Sequence, residues 1–177
     1  MFKSAKEIAY VGIMVALLIG GQLAFSAISG VEVVTAIFAV FCFIFGPVRG
    51  VVVATAFSLV RCFVFGFFPQ VIFLYLIYYN LFAIIIGVLG VLIKNRGELL
   101  KIVFLTCVAV FLTGCFTGID NILNVWIFKL PKVAIKIYIA QSVPIMISQM
   151  ICAMVTVPLL YYPLKTVFET VKKSLTA

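Results

Sequence analysis

The chain has 177 residues, of which 66% are hydrophobic and 10% are charged, with a formal net charge of +8 and a mean hydropathy of +1.36. A soluble domain is typically about half apolar and a quarter charged, so this composition excludes a water-soluble globular protein. A membrane-spanning helix needs roughly 20 apolar residues, which leaves room for about six spans and no separate soluble domain. We therefore predict an all-α integral membrane protein, with residues 1–177 forming a single six-helix transmembrane domain.

Polar breaks divide the chain into six candidate spans. The apolar run that follows the basic start is too long for a signal peptide, so we expect it to be a permanent helix. The predicted spans are 8–29, 32–46, 50–66, 70–93, 101–123 and 138–163. The second and third are short and are separated by the turn signal Gly46-Pro47-Val48-Arg49-Gly50, and a long polar break from Asp120 to Lys136 precedes the last span.

The basic residues predict the orientation of the bundle. With six spans both termini lie on one side, and that side holds nine of the thirteen basic residues, namely Lys3, Lys6, Arg49, Lys94, Arg96, Lys101, Lys165, Lys172 and Lys173. The positive-inside rule then places both termini in the cytoplasm. Lys129, Lys132 and Lys136 would lie outside, where alternation with Trp126 and other apolar residues indicates an interfacial helix. The basic tracts thus report orientation, and we expect no nucleic-acid partner.

Motifs for catalysis or metal binding are absent from the sequence. It has no phosphate-binding loop, no H-E-x-x-H, no G-x-S-x-G and no histidine. The five cysteines fall within apolar runs and form no C-x-x-C pair, so they indicate neither a disulfide framework nor a zinc site. We expect a protein that is not an enzyme and that has no metal site.

The first span carries a face of small residues. Gly12, Ala16 and Gly20 recur every four residues, with Ala9 nearby. Such repeats allow helices to approach closely in lipid, where dispersion and weak polar contacts replace the hydrophobic effect. The face is explained either by packing within the bundle or by docking on another membrane subunit.

Polar side chains gather in the outer halves of the later spans. The fourth span holds Tyr75, Tyr79 and Asn80, the fifth holds Asp120, Asn121 and Asn124, and the sixth holds Gln141 and Gln149. Polar groups in lipid need a partner or a cavity, so these stripes either line a pocket that opens to the outside or cross-link the helices. Trp126 would close such a pocket or anchor the interface.

Arg61 lies within the third span, where a charged side chain requires a partner, a water path or an escape to the interface. Glu32, at the outer start of the second span, is one candidate partner. A carboxylate or phosphate of a ligand, held by the guanidinium fork, is the other.

Three features together resemble the substrate-binding S components of energy-coupling factor (ECF) vitamin transporters. They are the six-span length, the first-helix pattern Ala9-x-x-Gly12-x-x-x-Ala16, and the turn Phe45-Gly46-Pro47-x-x-Gly50 after a short second span. The resemblance implies an S-component-like bundle in the bacterial cytoplasmic membrane that binds a vitamin or vitamin precursor near the extracellular face. The residues expected to bind it are Glu32, Arg61, Tyr75, Tyr79, Asn80, Asp120, Asn121, Asn124, Gln141 and Gln149.

The resemblance also implies partners. An S component docks through its first helix, here through Ala9, Gly12 and Ala16, on a transmembrane coupling subunit driven by two cytoplasmic ATPases. ATP would then be used by those partners, and this chain would hold no cofactor. Many family members carry an acidic residue shortly after the Gly-Pro turn, where this chain reads Ser58-Leu59-Val60-Arg61, so the substrate class stays open. The alternatives are a self-sufficient small secondary transporter or channel, and a scaffold without transport activity.

Overall fold

The computed structural model describes residues 5–28, 30–31, 33–127 and 131–176, together with the side chains in these ranges except those of Trp126, Ile127, Lys132 and Thr176. These residues form helices joined by short turns. The helices are α1 (Ala5–Phe25), α2 (Val34–Phe45), α3 (Pro47–Phe65), α4 (Pro69–Leu92), α5 (Glu98–Ile122) and α6 (Lys132–Thr176), and a π-helical turn (Leu123–Ile127) extends α5.

The prediction of a helical membrane protein is confirmed at the level of secondary structure and composition. In the described part of the chain, the five helices other than α2 are long enough and apolar enough to cross a membrane. Helix α2, with 12 residues, is apolar but shorter. The chain therefore has the helix lengths and composition of a multi-pass membrane protein, with one helix that is shorter than the thickness of a bilayer.

The turn between α2 and α3 is tighter than the sequence predicts. Only Gly46 lies outside the helices, with a φ of 84°, and Pro47 is already the first residue of α3. Proline suits this position because the first amide of a helix has no carbonyl partner within the helix. The predicted division at this turn signal is thus confirmed, but the predicted extent to Gly50 is wrong, since Pro47 starts the helix.

The predicted polar break from Asp120 to Lys136 is also wrong. Helix α5 continues to Ile122 and into the π-helical turn, and α6 begins at Lys132. Polar side chains at three- and four-residue spacing form a stripe on a helix and do not end it. Of the predicted interfacial helix, Lys129 lies outside the described residues, while Lys136 belongs to the first turns of α6.

Helix α2 is the centre of the bundle. Every residue from Val34 to Cys42 is buried, and the helix packs against α3, α4, α5 and α6 as well as α1. Phe38 contacts the rings of Tyr79 and Phe82 of α4, and Phe41 contacts the ring of Phe168 of α6. The short helix is therefore enclosed by longer ones on all sides.

Two glycines of α4 allow it to touch the end of α2. A Cβ atom added at Gly90 would lie 2.2 Å from the carbonyl oxygen of Phe43, and one at Gly87 would lie 2.4 Å from the nitrogen of Pro47. No side chain fits these distances, so backbone meets backbone where α2 turns into α3. The contact determines how closely α4 packs on the central helix.

Contacts between helices divide the bundle into two ends. At the terminal end, which holds the start of α1 and the end of α6, Arg49 pairs with Glu7 at 2.6 Å and Lys165 pairs with Glu98 at 2.6 Å. At the opposite or distal end, the Cα of Gly30 packs against Ser148. Consecutive helices, with the short α2 included, thus run in opposite directions, and α1 and α3 both start at the terminal end. Of the basic side chains that the structure describes, Arg61 and Lys136 lie toward the distal end and the other eight lie at the terminal end, namely Lys6, Arg49, Lys94, Arg96, Lys101, Lys165, Lys172 and Lys173.

We predict that Gly90→Ala lowers the free energy of unfolding by ~1–3 kcal/mol, because the added methyl group forces α4 away from Phe43. Gly118→Ala is the matched control. Gly118 is also inside a helix, but its Cβ position is open, so alanine there should raise stability by about 0.5–1 kcal/mol. Denaturant unfolding in detergent measures both, and equal effects of the two substitutions would contradict the close contact.

Candidate functional site

Arg61 forms a cluster at the distal end with side chains of three helices. Its Nε donates a hydrogen bond to Oε1 of Gln22 at 3.1 Å. Its guanidinium carbon lies 4.1 Å from the ring centroid of Tyr75 and 4.7 Å from that of Phe65. Cation–π contacts of this kind strengthen when they are shielded from water. The described structure thus gives Arg61 an amide and two rings as partners, and the predicted partner Glu32 lies outside the described residues.

Gln22 completes this cluster and was missed by the sequence analysis. Its Nε2 donates a hydrogen bond to the hydroxyl of Tyr75 at 3.0 Å, while its Oε1 accepts from Arg61. One amide therefore joins α1, α3 and α4. The sequence contains a signal for this contact, because Gln22 is the only amide side chain in the apolar helix α1.

Tyr75 and Tyr79 differ in exposure although they lie on one face of α4. Tyr79 is only 2% exposed and packs against Phe38 and Phe57, with ring centroids 5.6 and 5.1 Å away. Tyr75 is half-buried and contacts both the Tyr79 ring and Arg61. Of these two tyrosines, both predicted to bind the ligand, Tyr75 is the accessible one, and Tyr79 supports it from the core.

Asn80 links α3 and α4 near the middle of α4. Its Oδ1 accepts a hydrogen bond from the Thr55 hydroxyl at 3.1 Å, and its Nδ2 donates to the Leu76 carbonyl at 2.8 Å. Both ends of the amide are therefore occupied within the bundle. This arrangement is typical of a polar cross-link between helices.

Asp120 joins α5 to the start of α6. Its Oδ1 accepts a hydrogen bond from Nδ2 of Asn124 at 3.2 Å, and its Oδ2 accepts one from the Tyr138 hydroxyl. A carboxylate with two donors is well placed in a weakly polar environment because its charge is shared through hydrogen bonds. Tyr138, near the start of α6, is thus part of the polar site.

The amide oxygens of Asn121 and Asn124 are buried, and within the described structure neither accepts a hydrogen bond. Asn124 is 3% exposed, so bulk water does not reach it freely. An unsatisfied buried acceptor costs about 1–3 kcal/mol, and native proteins keep few of them. Two such acceptors next to the Asp120 carboxylate indicate a site that can accept hydrogen bonds from the donor groups of a ligand.

Phe116 connects the two polar groups at the distal end. Its ring centroid lies 5.9 Å from that of Tyr75, and it stands four residues before Asp120 on α5. The Arg61 cluster and the Asp120 group therefore flank one aromatic wall. The structure brings Arg61, Tyr75, Asp120, Asn121 and Asn124 to this end of the bundle.

The two predicted glutamines of α6 differ from each other. Gln141 is exposed and follows Tyr138 by three residues, so the two share a face of the helix. Gln149 is half-buried and lies about 16 Å farther along the helix axis than Tyr138, at 1.5 Å per residue. Gln141 is thus the nearer of the two to Tyr138, which binds Asp120. A ligand role for either glutamine stays a prediction.

The small-residue face of α1 points away from the bundle. Ala9, Gly12 and Ala16 are exposed, and a Cβ at Gly12 would meet no atom within 4 Å. The buried residues of α1, by contrast, are Met14, Val15, Leu18 and Ile19. Packing within the chain therefore does not use this face, and its predicted docking role stays open.

We predict that Gln22→Leu lowers the free energy of unfolding by about 1–3 kcal/mol, because it removes the hydrogen bonds that Gln22 makes with the Arg61 Nε and with the Tyr75 hydroxyl. Tyr75→Phe removes the second of these hydrogen bonds and keeps the ring under Arg61, so it should cost about 0.5–1.5 kcal/mol. Denaturant unfolding of both single variants and the double variant gives the coupling. If Gln22→Leu were as mild as Tyr75→Phe, the bond to Arg61 would contribute nothing.

Comparisons of the chain with protein-family models, with curated proteins and with solved structures found no match. What the distal end does has to be inferred from its own geometry. The distal end combines the guanidinium of Arg61, a wall of aromatic rings, the carboxylate of Asp120 and two buried amide oxygens that accept no hydrogen bond within the described structure.

Proposed function

We propose that this protein is the substrate-binding subunit, or S component, of an ECF-type importer, and that it captures a small nutrient at the distal end of the bundle. The observation that carries this proposal is the pair of buried amide oxygens of Asn121 and Asn124 beside Asp120. A purely structural network would satisfy its acceptors internally. Acceptors held ready for the donors of a ligand are a feature of binding sites.

The groups at the distal end favour a flat ligand with hydrogen-bond donors. Amide oxygens and a carboxylate accept from N–H and O–H groups, and the half-buried ring of Tyr75 provides a surface for stacking. Gln22 and the two rings hold the Arg61 guanidinium in place, so it is preorganised to bind a carboxylate or phosphate on the same ligand. Vitamins and their precursors combine these properties.

The charge distribution supports a distal end that faces outward. The described basic side chains concentrate at the terminal end, which the positive-inside rule assigns to the cytoplasm. A nutrient site at the distal end would then open toward the exterior of a bacterial cytoplasmic membrane. Both termini would lie in the cytoplasm, as the sequence predicts.

The exposed face of α1 supports a partner-dependent mechanism. Ala9, Gly12 and Ala16 leave a flat strip on the outside of the bundle, where a helix of a coupling subunit can approach closely. The resemblance to S components supplies the partners, namely a transmembrane coupling subunit and two ATPases. These would hydrolyse ATP and drive release of the nutrient inward.

We predict that Asn121→Leu weakens binding of the co-purified small molecule by roughly tenfold or more, since it removes a ligand acceptor. The ligand-free variant should be at least as stable as the ligand-free parent, because the substitution also removes a buried acceptor that has no partner. Mass spectrometry of released small molecules measures retention, and unfolding in detergent measures stability.

Asn95→Leu is the matched control for this experiment. Asn95 is exposed in the turn between α4 and α5 at the terminal end, so its substitution should leave ligand retention unchanged. If Asn121→Leu retains the ligand as well as Asn95→Leu does, the distal amides are not the binding site.

We predict that Gly12→Leu and Ala16→Leu abolish nutrient uptake in cells and leave ligand binding by the purified protein intact. Bulky side chains there block close helix approach but meet nothing within the bundle at Gly12. Ala140→Leu, at an exposed position of α6, is the control and should permit uptake. Uptake by the purified chain alone in liposomes would instead identify a self-sufficient transporter or channel.

A further inference from the structure

A concave site lies at the terminal end, away from the proposed nutrient site. It is a cavity of about 560 Å³ bounded by the end of α2, the end of α4, the start of α5 and the last turns of α6. The ammonium-bearing residues on its wall are Lys94, Lys101, Lys165, Lys172 and Lys173. Nothing in the proposed import mechanism uses this cavity.

The wall of the cavity has an excess of positive charge. The carboxylates near its five lysines are those of Glu169, on the wall, and Glu98, which pairs with Lys101 at 2.9 Å and with Lys165 at 2.6 Å. Lysines thus outnumber carboxylates by five to two around the space. A concave surface with one sign of charge concentrates counter-ions of the other sign.

Several of these lysines are held in position by the surrounding structure. Lys172 donates a hydrogen bond at 2.5 Å to the carbonyl of Ile44, in the last turn of α2. Glu98 holds Lys165 and Lys101 and is itself the acceptor of a hydrogen bond from the Tyr161 hydroxyl at 3.2 Å. Side chains that are already ordered lose less entropy when a ligand binds. The lysines of the cavity are therefore partly ordered before a ligand binds.

Apolar groups form the rest of the wall. Phe43, Phe45 and Val91 line the cavity together with the lysines, and Val91 is 64% exposed on the outer surface of α4. Leu92, next to it, is 74% exposed. The cavity thus adjoins an apolar surface at the terminal end of the bundle. A ligand that fits both parts has an anionic head and an apolar tail.

We infer that this cavity binds the phosphate-bearing headgroup of an anionic phospholipid from the adjacent leaflet. The lysines hold the phosphate, and the acyl chains lie along the exposed apolar surface beside Val91 and Leu92. Basic pockets between helices recognise anionic headgroups in this way. Free inorganic phosphate shares the headgroup's charge but lacks the apolar contact, so the two sources can be separated. The inference does not depend on the proposed nutrient site.

The test uses purified, delipidated protein in detergent micelles. Dioleoyl phosphatidylglycerol is titrated in, with dioleoyl phosphatidylcholine as the zwitterionic comparison, and bound lipid is counted by native mass spectrometry. We expect phosphatidylglycerol to bind more tightly. Lys94→Gln combined with Lys173→Gln should weaken that binding by about fivefold for each lysine removed. Both residues are exposed on the rim, so the variant keeps the packed core.

The control removes two positive charges at the same end but outside the cavity wall, by Lys6→Gln and Arg96→Gln. It should leave phosphatidylglycerol binding nearly unchanged. Equal weakening in the control would overturn the inference in favour of general surface charge. Equal binding of the two lipids would overturn it as well. Displacement of phosphatidylglycerol by excess inorganic phosphate alone would assign the cavity to a soluble phosphate compound instead of a lipid.

Discussion

The shortness of α2 is the constraint on which the rest of the bundle depends. Twelve residues extend about 18 Å, against a hydrocarbon core about 30 Å thick. Backbone groups at its ends would be exposed to lipid without partners if the helix stood at the surface, which is costly in hydrocarbon. The fold resolves this by placing α2 in the middle, covered by longer helices and ended by the single-residue turn at Gly46. The close approach of Gly90 to Phe43 follows from the same requirement.

Much of this architecture is readable from the sequence. Apolar periodicity and length identify the helices, and the Gly46-Pro47 pair identifies the division between α2 and α3. The extent of α5 and α6 was not readable, because residues such as Asp120 look like a break in composition although their spacing fits a helix face. Composition shows where polar residues occur, but whether the helix continues through them depends on how that segment packs in the bundle.

The sequence predicts where the candidate site lies better than it predicts which of its side chains contact one another. The polar stripe through Asp120, Asn121 and Asn124 could be found by spacing, since helical periodicity aligns these residues. The partner of Arg61 could not, because Gln22 lies 39 residues away in the chain and meets Arg61 only through the packing of α1 on α3. The separate roles of Tyr75 and Tyr79 likewise depend on which rings surround each of them.

Helix α6 gives the two ends of the molecule a mechanical connection. Its 45 residues extend about 68 Å, which exceeds the thickness of a bilayer including its headgroups. Tyr138 near its start contacts Asp120, and Lys172 near its end contacts the last turn of α2. A rod of this length turns a small tilt at one end into a larger displacement at the other. Pro144, Pro158 and Pro163 each remove a backbone hydrogen bond along the way, and these are the positions at which a helix bends most easily.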